Sequence, residues 1–221
     1  RAPGTDPTTI RALRSFDAAN FAAQFAELQG LSERSFGPEH PFHRIRVMPD
    51  DVSLPPVWIL GSSGASARFA GQAGLGYSFA SHFSPTDPRP AFDAYRENFE
   101  PSEKFEKPHI ILAVAVICAE TEEEADFLAG SWDLAMLNLR RGVLSPFPSP
   151  ERARDYAYSA QERAFIAGHR ELQFLGTPEK VKEELEEFVA STGADELMVA
   201  SFLHSHEDRL RSLKLLMEAM S

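Results

Sequence analysis

The residues best suited to chemistry form one short turn. Ser62, Ser63, Gly64, Ala65 and Ser66 follow a short apolar segment and precede a run of small residues that is typical of a helix. The first backbone N–H groups of a helix have no intrahelical partner, and the helix dipole favours an anion beside them. Serine hydroxyls at the same place add further donors. The turn therefore predicts a phosphate-binding site, although a serine cap also begins many helices that bind nothing.

Two histidines near the carboxyl end of the chain suggest a metal. His204 and His206 follow a predicted strand at residues 196–203. A zinc site needs a third ligand at a suitable spacing, and the sequence offers none. Ser205 is a good N-cap with Asp208 three positions later, so we interpret the segment as a helix start and predict no metal site. His204 remains a candidate for lining the pocket.

Three further patterns have simple structural explanations. His40 and His43 lie in a long loop that we expect at the surface or as a lid, in preference to a proton-transfer site. The acidic residues at 120–126 fit a capped, solvated helix start better than a cation site. Cys118 ends an apolar strand and has no cation near it in sequence, so we predict a buried, unreactive thiol.

Strands alternate with helices along the chain, which predicts a parallel sheet and an α/β fold. The predicted strands are residues 57–60, 76–81, 109–118 and 196–203. The predicted helices are residues 8–30, 64–73, 121–140, 150–168, 177–193 and 205–220, with one more ending near residue 99. A closed (β/α)₈ barrel needs eight strands and about 250 residues. We therefore expect about half a barrel plus an insertion, with residues 1–221 forming a single domain.

Composition excludes several classes of partner. The net charge of −11 argues against nucleic acid and anionic membrane surfaces. No apolar run approaches the roughly 18–20 residues of a membrane span. A single cysteine cannot form an internal disulfide, which fits a cytoplasmic protein. The opening residues RAPGTDP are typical of a loop that follows a strand, so we expect further sequence before Arg1.

The segment VWILGSSGASARFAGQAGLGYSFASHF resembles the flavin-phosphate segment of the bacterial luciferase-like monooxygenases. Other motifs resemble the same family in the same order. RAPGTDP is similar to the loop after the fourth barrel strand, HIILAVAVICAETEEEA to the seventh strand and its helix, and FLGTPEKVKEELEEFVASTGADELMV to the last strand–helix pair. The resemblance implies a luciferase-like (β/α)₈ TIM barrel, of which this chain carries about the second half.

The resemblance also assigns residues to the cofactor FMN. The phosphate would be held by Arg1, Ser62, Ser63, Gly64 and Ser66, and the isoalloxazine ring would lie beside Ala80, Ser81 and His82. In this family a histidine from the first barrel strands faces the flavin. We expect the catalytic residues upstream of Arg1 and assign none here.

The function implied by the resemblance is that of a flavin-dependent oxidoreductase, and more specifically a monooxygenase. It would use oxygen and reduced FMN, supplied by NAD(P)H directly or by a partner flavin reductase, to oxidise a small organic substrate. We expect a homodimer or higher oligomer, and this chain alone to be inactive. Two alternatives stay open, namely a catalytically incomplete flavin- or phosphate-binding barrel and a phosphosugar-type TIM-barrel enzyme.

Overall fold

The computed structural model describes residues 21–49 and 52–221. Arg1 and the first part of the predicted helix at residues 8–30 lie outside the described residues. The chain divides into two compact units, residues 1–57 and residues 58–221. The assignment of the whole chain to a single domain stays a prediction.

The first unit contains helix α1 (Phe21–Glu33) and a loop with its own internal contacts. The ring of Phe36 stacks on His40 with 3.9 Å between centroids. His40 Nδ1 accepts a hydrogen bond of 3.1 Å from the backbone N–H of Phe42. The Nδ1 atom of His43 lies 2.8 Å from the carbonyl oxygen of Phe36. Both loop histidines therefore stabilise the conformation of the loop itself.

The second unit alternates strands and helices. Its elements are β1 (Trp58–Gly61), α2 (Gly64–Gln72), β2 (Gly76–Ala80), α3 (Arg89–Glu97), β3 (Ile110–Cys118), α4 (Glu122–Arg140), α5 (Pro150–Arg154), α6 (Ala160–Arg170), β4 (Gln173–Gly176), α7 (Pro178–Thr192), β5 (Glu196–Ala200) and α8 (His206–Met220). The strands form one five-stranded sheet in which every pairing is parallel. The predicted α/β fold with a parallel sheet is confirmed.

Strand β3 is the centre of the sheet. Its first residues pair with β2, and residues 111–115 pair with β5. All nine residues of β3 are buried, which fits an unbroken apolar run in a strand covered on both faces. Strand β1 continues the sheet beyond β2. Among the described strands, β1, β2, β3 and β5 are therefore neighbours across the sheet in the same order as along the chain, with β4 outside this series.

One face of the sheet is covered by helices. Tyr77 and Phe79 of β2 pack against Tyr95 and Phe92 of α3, with centroid distances of 5.5 and 5.9 Å. Right-handed crossovers between successive parallel strands place their helices on the same face. This arrangement is that of a barrel wall. The described sheet is not shown to be closed, so the half-barrel stays a prediction.

The count of four strands was wrong, because residues Gln173–Gly176 form a fifth strand, β4. It pairs in parallel with residues 115–118 of β3. The segment has four residues and no β-branched side chain, and three of the four are partly exposed. Neither the length of this segment nor an alternation of apolar and polar residues distinguished it from a loop in the sequence.

The predicted helix at residues 150–168 is two helices, α5 and α6. The break lies before Ser159, which begins α6 with a capping box. The backbone N–H of Ser159 donates to the Glu162 carboxylate at 2.8 Å, and the Ser159 hydroxyl accepts from the Glu162 N–H at 3.3 Å. This reciprocal pair fixes a new helix start.

Two strands share one edge of β3. The backbone N–H of His82, just after β2, donates to the Ala113 carbonyl, and the N–H of Ala119 donates to Gly176 in β4. Alternate residues of a strand direct their backbone groups to the same edge, so Ala113 and Ala119 face the same side. Along this one edge, β2 therefore pairs with the first part of β3 and β4 pairs with the last part.

Asp195 fixes the start of both β3 and β5. Its carboxylate accepts a hydrogen bond of 2.8 Å from the Ile110 N–H, and its own N–H donates to the Ile110 carbonyl at 3.0 Å. Gly193, two residues earlier, ends α7 in the left-handed conformation with φ of 66°, which glycine adopts without strain. The chain can therefore turn sharply from α7 into the sheet.

A buried ion pair connects α4 to α6. The Asp133 carboxylate is 3% exposed and lies 2.6 Å from a guanidinium nitrogen of Arg170. Burial raises the pKa of Asp133 above its ordinary value, although the hydrogen bond from Arg170 opposes the shift. Because a lone buried charge is costly, removal of either partner would destabilise the packing of these helices.

Cys118 is buried at the end of β3, as its sequence predicts. Burial is the main cause that raises the pKa of its thiol to about 11. Its backbone N–H donates to the Ser212 hydroxyl of α8 at 2.9 Å. Separately, within the described part of the chain, no helix is long and apolar enough to cross a membrane.

We predict that the second unit is less protected at β1 and β5 than at β3, since among residues 58–221 these two strands, like β4, pair along one edge only. Leu60 and Met198, on these two strands, are 60% and 52% exposed. Amide hydrogen exchange should therefore be slowest in β3 and faster in β1 and β5. Light scattering should show association of the chain. A monodisperse monomer with β1 and β5 as protected as β3 would contradict this prediction.

Candidate functional site

The serine turn begins helix α2 as predicted. Ser63 is the N-cap, and its hydroxyl accepts from the Ser66 N–H at 3.5 Å. The Ser66 hydroxyl donates to the Ser63 carbonyl at 2.8 Å. Ser63 is exposed, while Ser62, Gly64 and Ser66 are partly buried. The N–H groups of Gly64 and Ala65 have no acceptor among the described residues, so they are available to an anion at the surface.

Gly61 allows the helix start to approach the strand. A Cβ atom at this position would overlap the Ser66 hydroxyl. Any larger residue would push the first turn of α2 away from the end of β1. The glycine is therefore required for the compact geometry of the turn.

Tyr77 supports the turn from the neighbouring strand. Its hydroxyl donates to the Ser63 carbonyl at 3.3 Å and lies 3.4 Å from the Ser66 hydroxyl. Burial is the main cause that raises the pKa of Tyr77, while the hydrogen bonds to Ser66 and Ser63 lower it. The ring stays neutral at physiological pH and acts as a fixed donor. The sequence argument missed this residue, which lies eleven positions beyond Ser66.

Arg68 is a second residue that the sequence argument missed. A Cβ atom built on Gly64 would lie 3.4 Å from the Arg68 guanidinium, so this side chain reaches back to the start of α2. Helical side chains point toward the N-terminus, and positions i and i+4 share a face. Among the described residues, Arg68 has no ion-pair partner. The spacing of four residues between Gly64 and Arg68 was the signal in the sequence that could have identified Arg68.

The second predicted set lies at the same end of the sheet. Because β1 and β2 are parallel neighbours, the turn and residues 80–82 follow adjacent strand ends. Ala80 is fully buried. The imidazole of His82 stacks on Phe202 at a centroid distance of 6.3 Å, and burial is the main cause that lowers its pKa. Phe202 stacks in turn on Trp132 at 4.1 Å. Aromatic rings therefore collect at these strand ends.

The structure separates Ser81 from Ala80. Ser81 is 8% exposed and lines a cleft beside α7. In the sheet register, Ala80 shares a face with Ala113 and Met198, opposite to the face that α3 covers. The two neighbours thus point to different sides. Arg1, the remaining predicted phosphate ligand, lies outside the described residues.

The paired histidines have structural contacts. His204 Nδ1 lies 3.1 Å from the Phe147 carbonyl, and His206 Nδ1 lies 2.8 Å from the Arg209 guanidinium. Ser205 caps α8, as predicted. Within residues 21–49 and 52–221, no cluster of three or more His, Cys, Asp or Glu side chains could hold a metal ion.

Comparison with known proteins gives one consistent family. The luciferase-like monooxygenase family model matches residues 9–196. An uncharacterized protein of Bacillus subtilis, YvbT, is 39% identical over 98% of this chain and 64% of its own length. A luciferase-like monooxygenase of Escherichia coli K12 is 37% identical over 99% of this chain and 65% of its own length. The chain thus spans just under two thirds of these relatives.

Solved structures support the fold. Apo-MsnO8 is 27% identical, with a TM-score of 0.78 over 100% of this chain and 66% of that one. The oxygenating constituent of 3,6-diketocamphane monooxygenase from Pseudomonas putida, in complex with FMN, is 14% identical, with a TM-score of 0.62 over 96% of this chain and 67% of that one. At that identity the second likeness concerns the fold alone.

We predict that Tyr77→Phe loosens the serine turn. The change removes the donor to the Ser63 carbonyl and keeps the ring, so urea denaturation should show a loss of about 1 kcal/mol in unfolding free energy. Tyr156→Phe is the control for the loss of a hydroxyl, because Tyr156 is a partly buried tyrosine that lies between α5 and α6. Amide exchange at Ser66 should accelerate in Tyr77→Phe and not in the control. Unchanged exchange at Ser66 would show that Tyr77 does not hold the turn.

Proposed function

The chain belongs to the luciferase-like monooxygenase family, and from this premise we propose that it forms the cofactor-binding part of a flavin-dependent monooxygenase. The enzyme would use reduced FMN and oxygen to oxidise a small organic substrate. The observation that carries the proposal is the turn at residues 62–66, where free amides, serine hydroxyls and the Arg68 guanidinium converge on one helix start.

The residues present fit a phosphate. Backbone amides at a helix start and hydroxyl donors suit its oxygens, and a nearby guanidinium supplies positive charge. Tyr77 holds the Ser63 carbonyl and so keeps the peptide groups of the turn in position. We propose that Arg1, Ser62, Ser63, Gly64 and Ser66 hold the phosphate together with Arg68.

Bound FMN would supply the redox chemistry, while the protein supplies orientation and electrostatics. Ala80 is small, and we propose that it leaves room for the ring at the end of β2. His82 stays neutral beside Phe202, because burial lowers its pKa. Reduced flavin would come from NAD(P)H directly or from a partner reductase.

We predict that the full chain binds FMN more tightly than riboflavin, because only FMN carries the phosphate. The double variant Ser63→Ala/Ser66→Ala should lose roughly 1–3 kcal/mol of FMN affinity and leave riboflavin affinity unchanged. Arg68→Gln should act in the same direction and weaken the salt dependence of FMN binding. Flavin fluorescence titration measures each affinity.

Thr177→Ala is the matched control for these variants. Thr177 caps α7, and its hydroxyl accepts from Lys180 N–H at 3.5 Å, the same distance as in the Ser63 cap. It should lose stability without changing the preference for FMN. Equal affinity of the unaltered chain for FMN and riboflavin would overturn the phosphate assignment.

Two measurements separate the proposal from its alternatives. A phosphosugar enzyme would bind ribose 5-phosphate as tightly as FMN, whereas we expect ribose 5-phosphate to compete only weakly, since it lacks the ring. Turnover is tested on the complete gene product that contains this sequence. NAD(P)H oxidation and oxygen consumption should depend on added FMN and fall in Ser63→Ala/Ser66→Ala. FMN binding without such consumption would favour a binding protein over an enzyme.

A further inference from the structure

A cleft of about 700 Å³ opens beside the sheet at the point where β3 changes partner. Strand β2 ends opposite Ala113, and β4 begins opposite Ala115 on the same edge. The chain leaves the sheet after β2, and the cleft lies where β4 replaces it along this edge. Crevices beside such changes of strand order are common ligand sites in α/β sheets, and this volume lies within the usual range of ligand pockets.

The walls of the cleft come from three segments. The loop at residues 84–89 forms one wall, and a stripe of α7 forms the opposite one. The stripe consists of Glu184, Glu187, Phe188 and Ser191, spaced as neighbours on one helix face. Residues 171–174, leading into β4, complete the lining. The cleft therefore combines acidic and apolar surface.

Negative charge in the cleft is unbalanced. Asp87 and Arg89 pair with each other, with 2.8 Å between Arg89 Nη2 and Asp87 Oδ2, and so cancel. Glu171, Glu184 and Glu187 also line the cleft and form no close ion pair with a described residue, although the charge of Lys180, four residues before Glu184 on α7, interacts with Glu184. Glu171 and Glu187 are exposed. Glu184 is partly buried. The lining therefore carries more negative than positive charge, and an incoming cation would be attracted to it.

Two polar side chains in the cleft have no hydrogen-bond partner. Ser81 is 8% exposed, and its hydroxyl makes no hydrogen bond to any described residue. The amide oxygen and nitrogen of Gln173 are both buried and unpaired. Buried polar groups in native proteins are nearly always hydrogen-bonded. The Ser81 hydroxyl is therefore suited to a ligand that enters the cleft, whereas the Gln173 amide would reach a ligand only after a change of its side-chain rotamer.

Apolar contact is available beside the carboxylates. The rings of Phe174 and Phe188 lie 5.5 Å apart at a 43° angle, and both line the cleft. Pro85 and Pro88 line it from the loop side. A flat or branched apolar group would be covered on two sides.

We propose that this cleft binds a small organic cation, an ammonium or guanidinium group carried on an aromatic or alkyl body. The positive group would be attracted by Glu184 and Glu187, and the apolar body would pack against Phe174 and Phe188. The Ser81 hydroxyl would hydrogen-bond to the polar part of the ligand. The site uses the helix-covered side of the sheet and does not depend on the flavin assignment.

The test is titration of the full chain with phenethylamine, and with phenethyl alcohol as the neutral isostere, followed by NMR. The amine should bind about tenfold more tightly, because a charge-assisted hydrogen bond is stronger than a neutral one. Shifts should concentrate at Ser81, Gln173 and residues 184–191. Glu184→Gln/Glu187→Gln should remove the preference for the amine, and added salt should reduce it.

Glu183→Gln/Glu186→Gln is the matched control, since it removes the same charge from residues of α7 that do not line the cleft. Circular dichroism confirms that each variant is folded. The preference for the amine should survive in the control. Equal affinity for amine and alcohol, shifts located elsewhere, or an equal loss in both double variants would each overturn the proposal.

Discussion

Parallel pairing along β3 is the constraint on which the second unit depends. This strand is buried over all nine residues and pairs with three others, two of them on one edge. Its backbone groups must be satisfied by neighbours because no water reaches them. The end of β2, the start of β4 and the position of β5 are all set by this requirement. The serine turn and the aromatic rings at residues 82 and 202 are then brought to one end of the sheet.

Much of this fold was predictable from the sequence, because the apolar runs and caps agree with each other. Thr121, Thr177 and Ser205 each begin a helix where the pattern of cap and following acid predicts one. Strand β4 was not predictable in the same way. Its four residues are stabilised by the pairing with β3, and that pairing is a tertiary contact that no local pattern reports.

Part of the candidate site was likewise predictable from the sequence, and part was not. The cap at Ser63 follows from residue type and local order, and the structure has it. The role of Tyr77 depends on strand register, since a shift of one residue exchanges the two faces. The position of Ser81 depends on how the chain leaves the sheet after β2. A sequence motif can therefore indicate that a helix start is suited to phosphate. It cannot indicate which neighbouring side chains support the turn or which face each one takes.

The two hydrogen bonds between Asp195 and Ile110 make the alignment of β3 and β5 independent of the size of the insertion between these strands. More than seventy residues lie between the end of β3 and Asp195, yet one carboxylate and one N–H set the alignment of the two strands locally. Helices α4 to α6 can then be lengthened, shortened or replaced without a shift of register, since the cost of closing a longer loop grows only slowly with its length. Such a scaffold can accept new pocket walls during evolution while the serine turn keeps its place.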